Sequence, residues 1–119
     1  MVSKHLPHYK YDERPWGNFR QFTENQPSTV KILFVRAHEE DSLQTHARRE
    51  EFWHILSGSG TVMVGDVELE AHAGSEFFIP AGVQHRLRGG PEGLRLLEIA
   101  FGDFDENDEV RIDDDYGRT

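Results

Sequence analysis

No cysteine occurs anywhere in the 119 residues, so neither a disulfide framework nor a thiolate metal site is open to this chain. Any metal must be held by histidine and carboxylate. Long apolar runs are missing as well: nothing approaches the roughly 18 apolar residues of a membrane span, and Met1 to Lys10 lacks the apolar segment of a signal peptide. The expectation is a soluble, cytoplasmic protein that does not engage a membrane. Basic charge is scarce, with 13 Lys and Arg against 22 Asp and Glu and a pI near 5.1, which argues against a nucleic-acid partner. Helical signal is scarce too, since no stretch combines apolar 3.6-residue periodicity with caps.

The negative charge is unevenly spread. Of a formal net charge of −9, the segment from Asp103 to Thr119 carries −6, from eight acids against Arg111 and Arg118. The rest is close to balanced and includes Lys31, Arg36, Arg48, Arg49, Arg86, Arg88 and Arg95, so a small anionic ligand is compatible with it. Eight Phe and two Trp supply bulky core material beyond what a disordered chain carries.

What is present is a run of short strands punctuated by glycine. Thr29 to Ala37 is β-branched and apolar and reads as a strand buried on both faces. Glu51 to Leu56 follows, closed by Gly58-Ser59-Gly60. Thr61 to Val64 and Val67 to Leu69 flank Gly65-Asp66 as a hairpin. Phe77 to Ile79 ends at Pro80-Ala81-Gly82, Val83 to Leu87 alternates before the Gly89-Gly90-Pro91 breaker, and Leu94 to Phe101 is the last strong strand. An all-β sandwich or closed barrel is predicted over residues 14–102, with residues 1–12 as an N-terminal arm and 103–119 as an acidic C-terminal tail. Val110, Ile112 and Tyr116 are the tail residues able to pin it to the barrel.

Strand alternation puts Glu51, Trp53 and Ile55 on one face and Phe52, His54 and Leu56 on the other, while Val83, His85 and Leu87 share a face. If both of the first-named faces point inward, Glu51 and His85 enter one interior, and His46 at its mouth completes a cluster. A buried carboxylate beside two imidazoles is costly unless paired or metal-bound, which gives the cluster a reason to hold a cation. The competing reading is that these histidines are structural.

Gly74-Ser75-Glu76-Phe77-Phe78-Ile79-Pro80-Ala81-Gly82-Val83-Gln84-His85 matches the second motif of the cupin superfamily, G-x5-P-x-G-x2-H, at every defined position. His46, Glu51 and Gly58 match the first motif. The chain therefore resembles a cupin, which implies a double-stranded β-helix (jelly-roll) barrel with its site inside one open end. A narrower resemblance, to the C-terminal cupin domain of type II mannose-6-phosphate isomerases, covers nearly the whole chain. It is carried by Arg14-Pro15-Trp16-Gly17, Val30-Lys31, Ser42-Leu43-Gln44, Arg49, Trp53, Asp108-Glu109-Val110-Arg111 and Tyr116-Gly117-Arg118. It does not extend to a nucleotidyltransferase domain and so implies no guanylyltransferase activity.

That resemblance implies a metal-dependent aldose-ketose isomerase acting on mannose 6-phosphate and fructose 6-phosphate, with a divalent ion (Zn, or Mn, Fe, Co or Ni) on His46, Glu51 and His85. A homodimer is implied by the family as well. One departure stands out: the family's three consecutive histidines appear here as His46-Ala47-Arg48, and arginine cannot ligate a cation. The alternative is thus a non-catalytic sugar-binding or regulatory cupin with a weakened or lost metal site, in which Arg48 pairs with Glu51. For isomerisation, Glu51 is the candidate base, Arg48 or Lys31 the candidate electrophile for the enediolate oxygen, and Arg49 a bidentate phosphate clamp. Gln44 either contacts a sugar hydroxyl or closes a turn. Trp16 and Trp53 either stack on sugar or anchor the core.

Overall fold

A computed structural model describes residues 6–102 and 108–118. They form nine strands: β1 (Lys10–Arg14), β2 (Gly17–Gln21), β3 (Ser28–Val35), β4 (Leu43–His46), β5 (Arg49–Val64), β6 (Val67–His72), β7 (Glu76–Ile79), β8 (His85–Gly102) and β9 (Glu109–Asp113). The architecture turns on β5 and β8, which pair antiparallel along nearly their full lengths. Their first and last halves take different neighbours. The stretch of β5 nearest Arg49 pairs with β7 and with the end of β8, which also carries β3. The stretch near Val64 pairs with β6 and with the start of β8, where His85 also pairs with Gln44 of β4, and β4 in turn carries β9.

The two halves fold over one another and enclose one core. Trp53, Ile55, Leu94 and Leu96 from one half pack with Val62, Ala71 and Leu87 from the other, and Ile79 joins them. Glycine makes the fold-over possible. Gly58 has φ +82°, and a Cβ there would lie 2.1 Å from the Gly93 carbonyl oxygen; at Gly60 it would lie 2.1 Å from that of Arg88. The β5–β8 register shifts between Ile55 and Ser57 and between Gly58 and Gly60, so the strand bulges and bends there instead of ending. Gly58-Ser59-Gly60, expected to close a strand, is therefore a corner inside β5, and Gly89-Gly90-Pro91 likewise lies within β8.

Three other expectations change. β3 is covered on one face only: Leu33 and Val35 pack against the core, while Val30, Ile32 and Phe34 point outward, each more than half exposed. Much of the predicted arm is structured, since β1 pairs with β2 and Leu6 is buried with Phe52, Ile99 and Phe101 against Tyr9 and Phe22; residues 1–5 lie outside the described residues. The tail adds β9 to the sheet, with residues 103–107 outside the described residues. Val110 and Ile112 do not pin it, since both remain exposed, but Tyr116 hydrogen-bonds to Glu39. The β4–β9 ladder and Arg86 on Asp113 at 3.2 Å also hold it, while Arg118 on Asp114 at 2.8 Å is a pair within the tail.

Candidate metal centre and sugar-phosphate pocket

β4 delivers His46 as its last residue, Ala47-Arg48 makes the link, and Arg49 opens β5. From there the strand period places Arg49, Glu51, Trp53 and Ile55 on the buried inward face. His85 enters from the first residue of β8, and its ring centroid lies 5.0 Å from that of His46. One ligating atom from each of His46, Glu51 and His85 falls within 4.8 Å of the others, and all three residues are buried. The expected cluster is thus assembled inside the barrel.

Hydrogen bonds fix which atoms face the centre. His85 Nδ1 sits 3.0 Å from the Val83 carbonyl oxygen, so it carries the proton and leaves Nε2 with its lone pair 3.7 Å from Glu51 Oε1. His46 Nε2 lies 3.3 Å from Glu51 Oε2 and 3.0 Å from Arg49 Nη2. A guanidinium only donates, so His46 Nε2 accepts, its proton is on Nδ1, and no partner for Nδ1 exists among the described residues. Glu51 accepts from Arg49 Nε at 3.1 Å and, through Oε1, from the Trp53 indole N–H at 3.1 Å. Burial, with Arg49 and His85 adding to it, holds the His46 imidazolium down to about 4, and burial lowers His85 as well. Both rings are neutral near pH 7. Three lone-pair atoms converging in this way repel one another unless a cation sits among them, so the donor set fits a divalent ion.

Around the cluster lies a partly open cavity of about 140 Å³, lined by Lys31, Asp41, Gln44, Glu98 and Glu109 along with the three candidate ligands, Arg49 and Trp53. Lys31 and Glu98 are ladder partners on β3 and β8. Gln44 donates its amide to Ser42 Oγ at 3.0 Å. Four acidic side chains, Asp41, Glu51, Glu98 and Glu109, face two permanent cations, Lys31 and Arg49. Two of those carboxyls sit unusually high: burial, reinforced by the Glu51 charge and its hydrogen bond, pushes Glu98 up to about 7, and burial pushes Asp41 up to about 7.

Several individual expectations need correcting. Arg48 is not at the centre: its side chain is 58% exposed and lies 3.9 Å from Asp108, whose carboxylate also accepts the Arg48 backbone N–H at 2.8 Å. The partner of Glu51 is Arg49, which is buried among the candidate ligands and not set apart from them as a distant clamp. Trp53, 1% exposed, offers no face for a sugar to stack on. Trp16 is 74% exposed and anchors no core. Glu98, Asp41 and Glu109 were not singled out from sequence. Glu98 could have been: it interrupts the inward stripe of Leu94, Leu96 and Ala100 on β8, and a carboxylate at a core position signals a site.

Comparison with known proteins agrees with this architecture. The family model described as mannose-6-phosphate isomerase C-terminal matches residues 3–114. The xanthan biosynthesis protein XanB of Xanthomonas campestris is 39% identical over 108 residues, covering 89% of this chain and 23% of that protein. A mannose-1-phosphate guanylyltransferase of Klebsiella pneumoniae is 36% identical over 107 residues, covering 88% and 23%. The chain thus spans about a quarter of the length of the curated relatives it matches. Among solved structures, a cupin protein from Bacteroides fragilis superposes with a TM-score of 0.59 at 22% identity, over 63% of this chain and 65% of that one. Oxalate decarboxylase from Bacillus subtilis gives 0.67 at 19% identity, over 73% and 24%. The fold is a cupin β-barrel.

Proposed function

Because the chain belongs to the mannose-6-phosphate isomerase C-terminal family, we propose that its cavity interconverts mannose 6-phosphate and fructose 6-phosphate, or a close aldose phosphate, around a divalent cation. The observation that carries this reading is the convergence of the lone pairs of His46, Glu51 and His85 on one point of a cavity that also presents Lys31, Gln44 and Glu98. His46, Glu51 and His85 hold the ion, which is Zn, Mn, Fe, Co or Ni from the nitrogen and carboxylate donor set. A bound divalent cation supplies Lewis-acid polarisation of a sugar oxygen.

The protein's own groups supply the rest. Isomerisation moves one proton between C1 and C2. Glu51 already accepts from Arg49 and Trp53, and Glu98, raised to about 7 and across the ladder from Lys31, takes and returns that proton. Lys31 stabilises the oxyanion that develops on the enediolate, and Gln44 contacts a sugar hydroxyl. The acidic wall supports a cation in the reactive complex, because a phosphate dianion entering alone would meet Glu51, Glu109 and the part-ionised Asp41 and Glu98 with only Lys31 and Arg49 to offset them.

One observation favours a second reading, a sugar-binding or regulatory domain without turnover: Arg49 already donates to two of the three converging residues, His46 and Glu51. Metal analysis followed by a coupled isomerase assay separates the two. Turnover of mannose 6-phosphate with added Zn, Mn, Co or Fe is the expected result. Binding of the sugar phosphate without turnover under all four metals would leave only the second reading.

A further inference from the structure

The guanidinium of Arg49 stands where a metal would draw its ligands. Its Nη2 donates to His46 Nε2 at 3.0 Å and its Nε to Glu51 Oε2 at 3.1 Å, while His85 Nε2 is turned to the same point from the other side by the Val83 carbonyl. A carboxylate oxygen has lone pairs to share; an imidazole nitrogen has one. His46 Nε2 therefore cannot accept from Arg49 and ligate a metal at the same time.

We propose that Arg49 is a built-in competitor for the divalent cation: it closes the His46–Glu51 side of the centre, and the metal binds only as the Arg49–His46 hydrogen bond breaks. This rests on the reading of His46, Glu51 and His85 as the metal-holding set. The closed arrangement is physically reasonable. Glu51 and His46 are both buried, and without a cation their acceptor atoms, 3.3 Å apart, would face one another unsatisfied. The open arrangement has a receiving group, since Glu98 lines the same cavity and feels the charge of Arg49. The consequence is a site whose buried acceptors on His46 and Glu51 are paired by Arg49 and which discriminates by displacement: only a cation that repays the lost Arg49–His46 contact enters. An anion that draws the guanidinium toward itself would ease metal entry, and by reciprocity the metal would ease binding of that anion.

The test uses Co²⁺ as the probe, followed by visible absorption and calorimetry on the wild-type chain and on Arg49→Gln, with circular dichroism as the check on folding. Arg49→Gln is expected to bind Co²⁺ about tenfold more tightly or better, the effect of removing one charge-assisted contact that must otherwise break. Equal or weaker binding in a folded variant would overturn the competition while leaving the metal set intact. No binding by either protein would overturn the metal set itself, and the competition with it. A second readout needs no variant and separates displacement from simple charge repulsion: the Arg49 Nη2 protons of the wild type, which donate to His46 Nε2, should be protected from exchange without metal and should shift and lose protection on saturation with Zn²⁺. A resonance unmoved at saturation refutes the proposal even if Arg49→Gln fails to fold.

Discussion

Glu51→Gln removes the central charge of the site and keeps its shape, which makes its cost calculable. The carboxylate is fully buried and accepts from Arg49 Nε and Trp53 Nε1, both at 3.1 Å. Glutamine retains one acceptor, and its NH₂ group must then face one of these two donors. Breaking a buried charge pair from one side costs about 3–5 kcal/mol, mostly through the cation left behind. Here a second carboxyl can answer that cation. Glu98 is raised from 4.5 to about 7 by burial first and by Glu51 second. In the wild type the unfolded chain releases this proton before the folded one does, so stability falls as pH rises from about 4.5 to about 7. With the Glu51 charge gone, Glu98 ionises earlier in the folded state and pairs with Arg49, so the variant loses less over that window. The full cost should appear near pH 4.5, and the gap should narrow by about 1–2 kcal/mol near pH 8.5. Urea denaturation of metal-free protein at the two pH values is the assay. A destabilisation that is the same at both, or larger at the higher pH, refutes the coupling between Glu51, Glu98 and Arg49.

Gly58→Ala should destabilise the barrel by at least about 2 kcal/mol or prevent folding, because φ is +82° and the added Cβ would meet the Gly93 carbonyl oxygen at 2.1 Å; an unchanged melting temperature would contradict the corner assigned to it. Asp41→Asn keeps an acceptor for the Leu87 N–H, now 2.8 Å from Oδ1, and removes a charge that burial opposes. Since the folded carboxyl is raised from 3.8 to about 7, thermal melts should show no gain below about pH 4 and a gain of order 2 kcal/mol by pH 8; a loss at pH 8 would show that the charge is needed. Arg48→His should leave metal affinity unchanged by calorimetry, because that side chain is exposed beside Asp108; tighter binding would mean that the link between β4 and β5 rearranges to bring residue 48 inward.

The period of two along a strand determined a good deal from sequence alone. It placed Glu51, Trp53 and Ile55 on one face and His85 with Leu87 on another, because successive side chains must point to opposite sides of a pleated sheet. Together with the glycine- and proline-bounded motif ending at His85, that was enough for the barrel and for the three candidate ligands. The period does not survive a turn. Whether Arg48 or Arg49 faces the centre depends on how the Ala47-Arg48 link rotates the chain between β4 and β5, and the Asp108 carboxylate, 60 residues away, takes up the Arg48 backbone N–H. A glycine cluster is equally ambiguous in sequence, since it permits a chain end and a bend alike. Only the continuing ladder with β8 makes Gly58-Ser59-Gly60 a corner within one strand. Exposure of Val30, Ile32 and Phe34 follows from β3 packing only its other face on the core, a fact of tertiary arrangement and not of composition. The elevated carboxyl of Glu98 and the grip of Arg49 on His46 likewise arise only when four strands bring these groups within a few ångströms in a place that water does not screen, because charge interactions depend on separation and burial, and sequence specifies neither.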